Sequence, residues 1–106
     1  MTTAQTTVTS IRSTLANDPD LAGLVQMFVD EMPRRVETLS MLMAAEDWQE
    51  MARAVHQFKG AAGSHGFHEL TPYAARLEAA IGQQQAYAAR ELLEALREAC
   101  GRVRAT

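Results

Sequence analysis

The sequence predicts an all-α fold, an antiparallel up-down-up-down four-helix bundle with a short N-terminal lead-in that is helical or disordered. Apolar residues recur every three or four positions in four segments, no segment alternates with a period of two, and short polar or glycine-containing links separate the segments. The 106 residues suffice for one domain. We divide the chain into a loose lead-in, residues 1–17, and the bundle, residues 18–106.

The first helix is predicted to begin at Asp18, a capping residue, because Pro19 behind it suits the first helical position. The helical spacing continues to about Ala45 and includes Pro33, whose missing N–H removes one backbone hydrogen bond. The apolar positions of this helix are Leu21, Leu24, Val25, Phe28, Met32, Val36, Leu39 and Met43.

The second helix has Asp47 as its predicted cap, with Glu50 three residues later as in a capping box. The Gly-Ser-His-Gly segment at residues 63–66 is expected to end it. Its apolar stripe consists of Trp48, Met51, Val55, Phe58 and Ala62.

The third helix is predicted to start at Thr71-Pro72 and to end at Gly82, and the fourth to start near Ala86 after a polar link. The apolar positions of these two segments are Phe67, Leu70, Ala74, Leu77 and Ile81, followed by Leu93, Leu96, Cys100 and Val103.

The composition excludes several classes of function. A net charge of −3 without a basic block disfavours nucleic acid and anionic membranes as partners. The single cysteine, Cys100, can form neither an intramolecular disulfide nor a thiolate metal site. The polar N-terminus does not resemble a signal peptide, so we expect a cytoplasmic protein. The small size and the lack of phosphate-loop, zinc-protease and nucleophile-elbow motifs disfavour a closed active site.

The surroundings of His56 are the most informative part of the chain. On a helical wheel His56 points about 120° away from the centre of the apolar stripe, which predicts an exposed imidazole. Its helical neighbours are Ala52, Lys59, Gly60 and Gly63. A helical glycine costs about 1 kcal/mol relative to alanine, but it lets another molecule approach closely. A neutral imidazole is a nucleophile toward phosphorus, and the ammonium of Lys59, the one lysine of the chain, suits a phosphoryl group.

The string His56-x-x-Lys59-Gly60-x-x-x-x-x-Gly66 resembles the HxxKGxxxxxG signature of histidine-containing phosphotransfer (HPt) domains of two-component phosphorelays. The resemblance covers roughly residues 19–100. Its further positions are Phe28, Pro33, Leu39 and Trp48 upstream and Leu70, Leu77 and Glu78 downstream.

The resemblance implies a phosphocarrier whose His56 accepts a phosphoryl group at Nε2 from the phospho-Asp of one receiver domain and passes it to another. It further implies that Lys59 neutralises the phosphate, that Glu78 orients the imidazole by accepting from Nδ1–H, and that Gly66 ends the helix and permits the turn to Phe67. The expected partner-binding surface consists of Gln49, Ala52, Arg53, Gly60, Gly63 and Phe67.

The expected partners are receiver domains of response regulators or hybrid histidine kinases, which would supply Mg²⁺ and an acidic pocket. We therefore predict a monomer that binds no cofactor and no metal and has no ATP site. The chain begins with Met, which suggests a free-standing protein, although a cloned fragment would begin in the same way.

Three other interpretations remain open. The first is a helical adaptor in which His56 is incidental. The second is the phospho-acceptor domain of a chemotaxis-type histidine kinase, in which a histidine commonly stands where this chain has Ala75. The third is a metal site that uses His65 and His68, with Glu69 nearby and His56, and Gly66 disfavours it by interrupting the helix.

Overall fold

The structure, a computed structural model, describes residues 9–106, and four packed helices make up most of it. The helices are α1 (Ala22–Ala44), α2 (Trp48–Ser64), α3 (Thr71–Gly82) and α4 (Ala86–Gly101), with a 3-10 turn at His68–Leu70 before α3. Helix α2 packs against α1 and α3, and α4 packs against α3 and α1. The prediction of four packed helices is confirmed. Within residues 9–106, no helix is both long enough and apolar enough to span a membrane.

Two short strands join the ends of the described chain. Strand β1 (Ile11–Arg12) pairs in parallel with β2 (Val103–Arg104), and Ile11 lies opposite Val103. Both apolar residues are buried, Ile11 with only 1% of its surface exposed. The prediction of a helical or disordered lead-in is therefore wrong at β1, because its partner lies at the other end of the chain. Residues 1–8 of that lead-in lie outside the described residues.

Helix α1 begins later than the sequence predicted. The Oδ1 atom of Asp18 accepts a hydrogen bond from the backbone N–H of Asp20 at 2.9 Å, so Asp18 caps a turn before the helix. The α-helix itself begins at Ala22. Leu24, which the spacing placed in the apolar stripe, is 51% exposed. By contrast, Asp47 caps α2 as predicted, since its side chain accepts from the backbone N–H of Glu50 at 3.3 Å.

The core lies between all four helices. Its aromatic centre is formed by Phe28, whose ring lies 6.3 Å from that of Phe58 and 5.7 Å from that of Phe67 between centroids. The largest fully buried side chains are those of Phe28, Phe58, Phe67, Ile11, Leu39, Met51, Leu70, Leu77, Leu96, Val25 and Val55. Burial of each such side chain contributes roughly 1.5–3 kcal/mol to the free energy of folding. The positions of these buried side chains also set the rotation of each helix about its axis.

Candidate functional site

His56 lies on the outer face of α2. Val55 and Phe58, its neighbours along the chain, are buried with 0% and 2% of their surface exposed. Because successive residues of a helix differ by about 100° in direction, burial of those two turns His56 outward. Its side chain is 70% exposed, as the helical wheel predicted.

The carboxylate of Glu78, on α3, contacts both functional side chains of α2. Its Oε2 atom lies 2.8 Å from Nδ1 of His56, and its Oε1 atom accepts a hydrogen bond from Nζ of Lys59 at 2.7 Å. Lys59 and Glu78 are each about 30% exposed. Packing of α2 on α3 therefore brings together the three residues to which the sequence assigned chemistry.

The charge of Glu78 decides which nitrogen of His56 carries the proton. The hydrogen bond from Lys59 lowers the pKa of Glu78, burial opposes this, and the hydrogen bond with His56 lowers it further. The carboxylate is thus ionised at neutral pH and acts only as an acceptor. Nδ1 of His56 must therefore donate, which leaves the lone pair of the neutral imidazole on Nε2.

The surface of α2 around His56 leaves space for another molecule to approach the imidazole. A Cβ atom added to Gly60 would meet no atom within 4 Å, and one added to Gly63 would only touch Oγ1 of Thr71 at 4.0 Å. Gln49 and Arg53 are exposed and Ala52 is half-buried. These five predicted partner-binding positions are therefore accessible on α2.

A groove of about 480 Å³ continues this surface away from His56. It lies between the start of α2, the end of α3 and the start of α4, and its walls include Trp48, Ala52 and Ile81. Ala52 belongs to both the groove and the turn of α2 before His56, so the two features form one continuous surface.

Phe67 was predicted to contact a partner, and this prediction is wrong. Its side chain is 0% exposed, and its ring packs on Phe28 in the core. The reason is the backbone of Gly66, whose φ of +85° turns the chain inward after α2. Phe67 therefore stabilises the fold at the end of α2 and offers no surface to a partner.

The end of α2 is held by a hydrogen-bonded turn. The N–H of Phe67 donates to the carbonyl of Ala62 at 2.8 Å, and the N–H of Gly66 donates to that of Gly63 at 3.0 Å, as in a Schellman motif. A left-handed φ suits Gly66 because glycine has no Cβ. Gly66 thus ends the helix and permits the turn that the sequence predicted.

The residues that follow β1 pass over this turn and were missed by sequence reasoning. The hydroxyl of the buried Ser13 donates to the carbonyl of His65, and the N–H of Thr14 donates to that of Gly66 at 3.0 Å. A Cβ on Gly66 would collide with Ser13, Thr14 and Leu15. The only local signal is the i, i+4 spacing of Ile11 and Leu15, within the lead-in that we predicted to be helical or disordered.

His65 has a structural environment. Its Nδ1 lies 2.7 Å from the carbonyl oxygen of Ala61, and its ring stacks on Phe28 with centroids 4.7 Å apart. His68, the other histidine of the considered metal site, is exposed. Over residues 9–106, no group of three or more His, Cys, Asp or Glu side chains is arranged to hold a metal ion.

The structure thus combines four packed helices with an exposed histidine that contacts a carboxylate of the neighbouring helix. The family model of the Hpt domain matches residues 23–106. The chain therefore belongs to the family of histidine-containing phosphotransfer domains. These domains are phosphocarriers of phosphorelays and interact with receiver domains. Searches of curated proteins and of solved structures each found no match.

Proposed function

We propose that this chain carries a phosphoryl group on Nε2 of His56, which it accepts from the phospho-Asp of one receiver domain and delivers to the Asp of another. The observation that carries this proposal is the contact of 2.8 Å between Nδ1 of His56 and the ionised Glu78. It leaves the nucleophilic lone pair on Nε2 of an exposed ring.

The proposed step requires no proton transfer at the attacking nitrogen. The lone pair of Nε2 forms the N–P bond while the P–O bond to the donor aspartate breaks, and the aspartate leaves as a carboxylate. The phosphorylated ring carries positive charge as long as Nδ1 keeps its proton. Glu78 accepts the hydrogen bond from that N–H and stabilises the charge. Return of the phosphoryl group follows the reverse path.

Lys59 is proposed to neutralise the phosphoryl oxygens. Lys59 lies one helical turn from His56 on α2, and in the structure its ammonium donates a hydrogen bond to Oε1 of Glu78. An ammonium has three donors on a flexible stem, so Lys59 can contact a phosphoryl group on His56 without moving along the helix.

We further propose that the receiver domain supplies Mg²⁺ and the acidic pocket, and that this chain holds no cofactor. Phosphoryl transfer needs neutralised charge and in-line positioning. The carboxylate that contacts His56, that of Glu78, already uses one oxygen for His56 and the other for Lys59. The partner is proposed to dock around His56 on Gln49, Ala52, Arg53, Gly60 and Gly63.

Two predictions remain part of this proposal. The first is the antiparallel up-down-up-down order of the helices, which is supported by the packing of each helix against the next and by the short links between them. The second is a cytoplasmic location.

The test is incubation of the chain with a phosphorylated receiver domain and Mg²⁺, followed by detection of labelled phosphohistidine. We expect label on the wild type and on His68→Gln, which removes another exposed histidine, but no label on His56→Gln. No label with any of several receivers, or equal label on His56→Gln, would overturn the proposal. Incubation of the pure chain with ATP should give no label, and self-labelling would contradict the carrier role.

A further inference from the structure

The outer face of α1 carries a stripe of side chains that the rest of residues 9–106 leaves exposed. Three of its residues are large, apolar and well exposed, namely Leu24 at 51%, Met27 at 58% and Met41 at 63%. With about 100° per residue, the stripe lies roughly 135° around α1 from its buried face. Its residues, spaced alternately by three and four positions, are Leu24, Met27, Glu31, Arg34, Thr38 and Met41.

The charges at the centre of this outer stripe are self-complementary. In two antiparallel copies of α1 related by a twofold axis between positions 31 and 34, Glu31 of each copy faces Arg34 of the other. Glu31 and Arg34 are both exposed. The ion pair that Glu31 makes with Arg35, at 3.4 Å, is partly exposed to solvent and so holds Glu31 only weakly.

The apolar residues of the stripe fit the same register. It places Leu24 of one copy opposite Met41 of the other, and Met27 opposite the methyl-bearing Thr38. The apolar contacts at both ends therefore flank the charged centre. A parallel arrangement would instead bring Glu31 against Glu31 and Arg34 against Arg34, which like-charge repulsion disfavours.

We propose that the outer stripe of α1 is the contact between two copies of this chain in an antiparallel, twofold-symmetric dimer. An isologous contact needs one surface that complements itself, and both the charges and the apolar positions meet this condition. The monomer predicted from the sequence is then the low-concentration form of the protein.

The dimer is a weak one. A single pair of helix faces buries less than the roughly 1,200 Å² found in stable complexes, and acidic Asp30 and Glu37 border the stripe. We expect a dissociation constant on the order of 100 µM. The proposal does not rest on phosphotransfer, because His56 lies on α2 and contacts α3.

Sedimentation velocity of the full chain, from about 10 to about 500 µM, tests the proposal. We expect the wild type to sediment faster as its concentration rises. Glu31→Arg and Arg34→Glu should each weaken association roughly tenfold or more, because each places like charges in contact twice. An equimolar mixture of the two variants should associate at least as well as the wild type. In a mixed dimer, two arginines of one variant face two glutamates of the other, so both contacts again join opposite charges.

The control is Glu91→Arg, which makes the same change of charge at an exposed position of α4 and should leave association unchanged. Circular dichroism of each variant verifies that it folds. A wild type that stays monomeric throughout, or association that neither single variant weakens, would overturn the proposal. If Leu24→Glu abolishes phosphotransfer in a chain that stays monomeric, the stripe binds the receiver domain and the proposal is equally wrong.

Discussion

Nδ1 of His56 lies 2.8 Å from Oε2 of Glu78, so that a residue of α3 contacts an imidazole on α2. The second oxygen of the same carboxylate accepts from Lys59 at 2.7 Å. One carboxylate therefore contacts both the histidine that we propose as the nucleophile and the cation that we assign to the phosphoryl group.

Removal of the Glu78 acceptor should slow phosphotransfer. We expect Glu78→Ala to reduce the transfer rate by roughly tenfold, as loss of a group that orients a histidine often does. Glu78→Gln should reduce the transfer rate less, because the amide oxygen of glutamine can still accept a hydrogen bond from Nδ1–H of His56. Imidazole ¹⁵N chemical shifts should show the Nδ1–H tautomer in the wild type and in Glu78→Gln, and a tautomer mixture in Glu78→Ala. The wild-type tautomer in Glu78→Ala would contradict the assigned role.

Stability should fall in acid because of the same carboxylate. The hydrogen bond from Lys59 holds the pKa of Glu78 below its ordinary value of 4.5 in the folded protein. The unfolded chain thus binds a proton first as the pH falls. The ionised Glu78 therefore stabilises the folded protein fully at a pH above its ordinary pKa. This contribution to the free energy of unfolding is lost as the pH drops through the lower pKa of the folded state.

Urea unfolding between roughly pH 6 and pH 3 measures this contribution. The free energy of unfolding of Glu78→Gln should decline less over this range than that of the wild type. Glu91→Gln, which neutralises an exposed carboxylate on α4, serves as the control. Identical acid dependence of wild type and Glu78→Gln would show that Glu78 does not contribute.

Bulk at Gly60 should block a partner without harm to the fold. A side chain there meets no atom of this chain within 4 Å, and replacement of a helical glycine stabilises a helix by up to about 1 kcal/mol. We therefore expect Gly60→Gln to unfold at a higher temperature but to accept phosphate more slowly. Gly101→Gln, at an equally open glycine at the end of α4, should transfer at the wild-type rate. Normal transfer by Gly60→Gln would refute the access role.

The helix ends should respond in opposite directions to substitution. Gly66 and Gln84 both have a left-handed φ, +85° and +59°. Gly66→Ala should destabilise the protein by about 2 kcal/mol or more, because the Cβ is strained and collides with Ser13 and its neighbours. Gln84→Gly should stabilise it by up to about 1 kcal/mol, since it relieves that strain. Thermal or urea unfolding measures the stability change of each variant. A Gln84→Gly variant that is less stable than the wild type would contradict the prediction of strain at Gln84.

Helical spacing predicted the core of α2 and the exposure of His56, because both follow from residues within two turns of one helix. The same spacing was wrong for Leu24, which the stripe of α1 included but which is exposed. It did list Phe67 among the apolar positions of the third segment, in agreement with its burial, and only the separate assignment of Phe67 to the partner-binding surface was wrong. Glu78 entered only through the family resemblance, since no periodicity within α3 states which side chain of α2 it meets.

The sequence by itself determined the four helices, the cap at Asp47 and the outward direction of His56, because each depends on contacts within a few residues. Only the tertiary structure decided the position of the proton on His56, the absence of Phe67 from the partner-binding surface and the passage of Ser13 over the end of α2. Each of these depends on groups from separate elements, such as Glu78 on α3 or the strand that pairs Ile11 with Val103. The chemistry of this surface thus becomes defined only when α3 packs against α2.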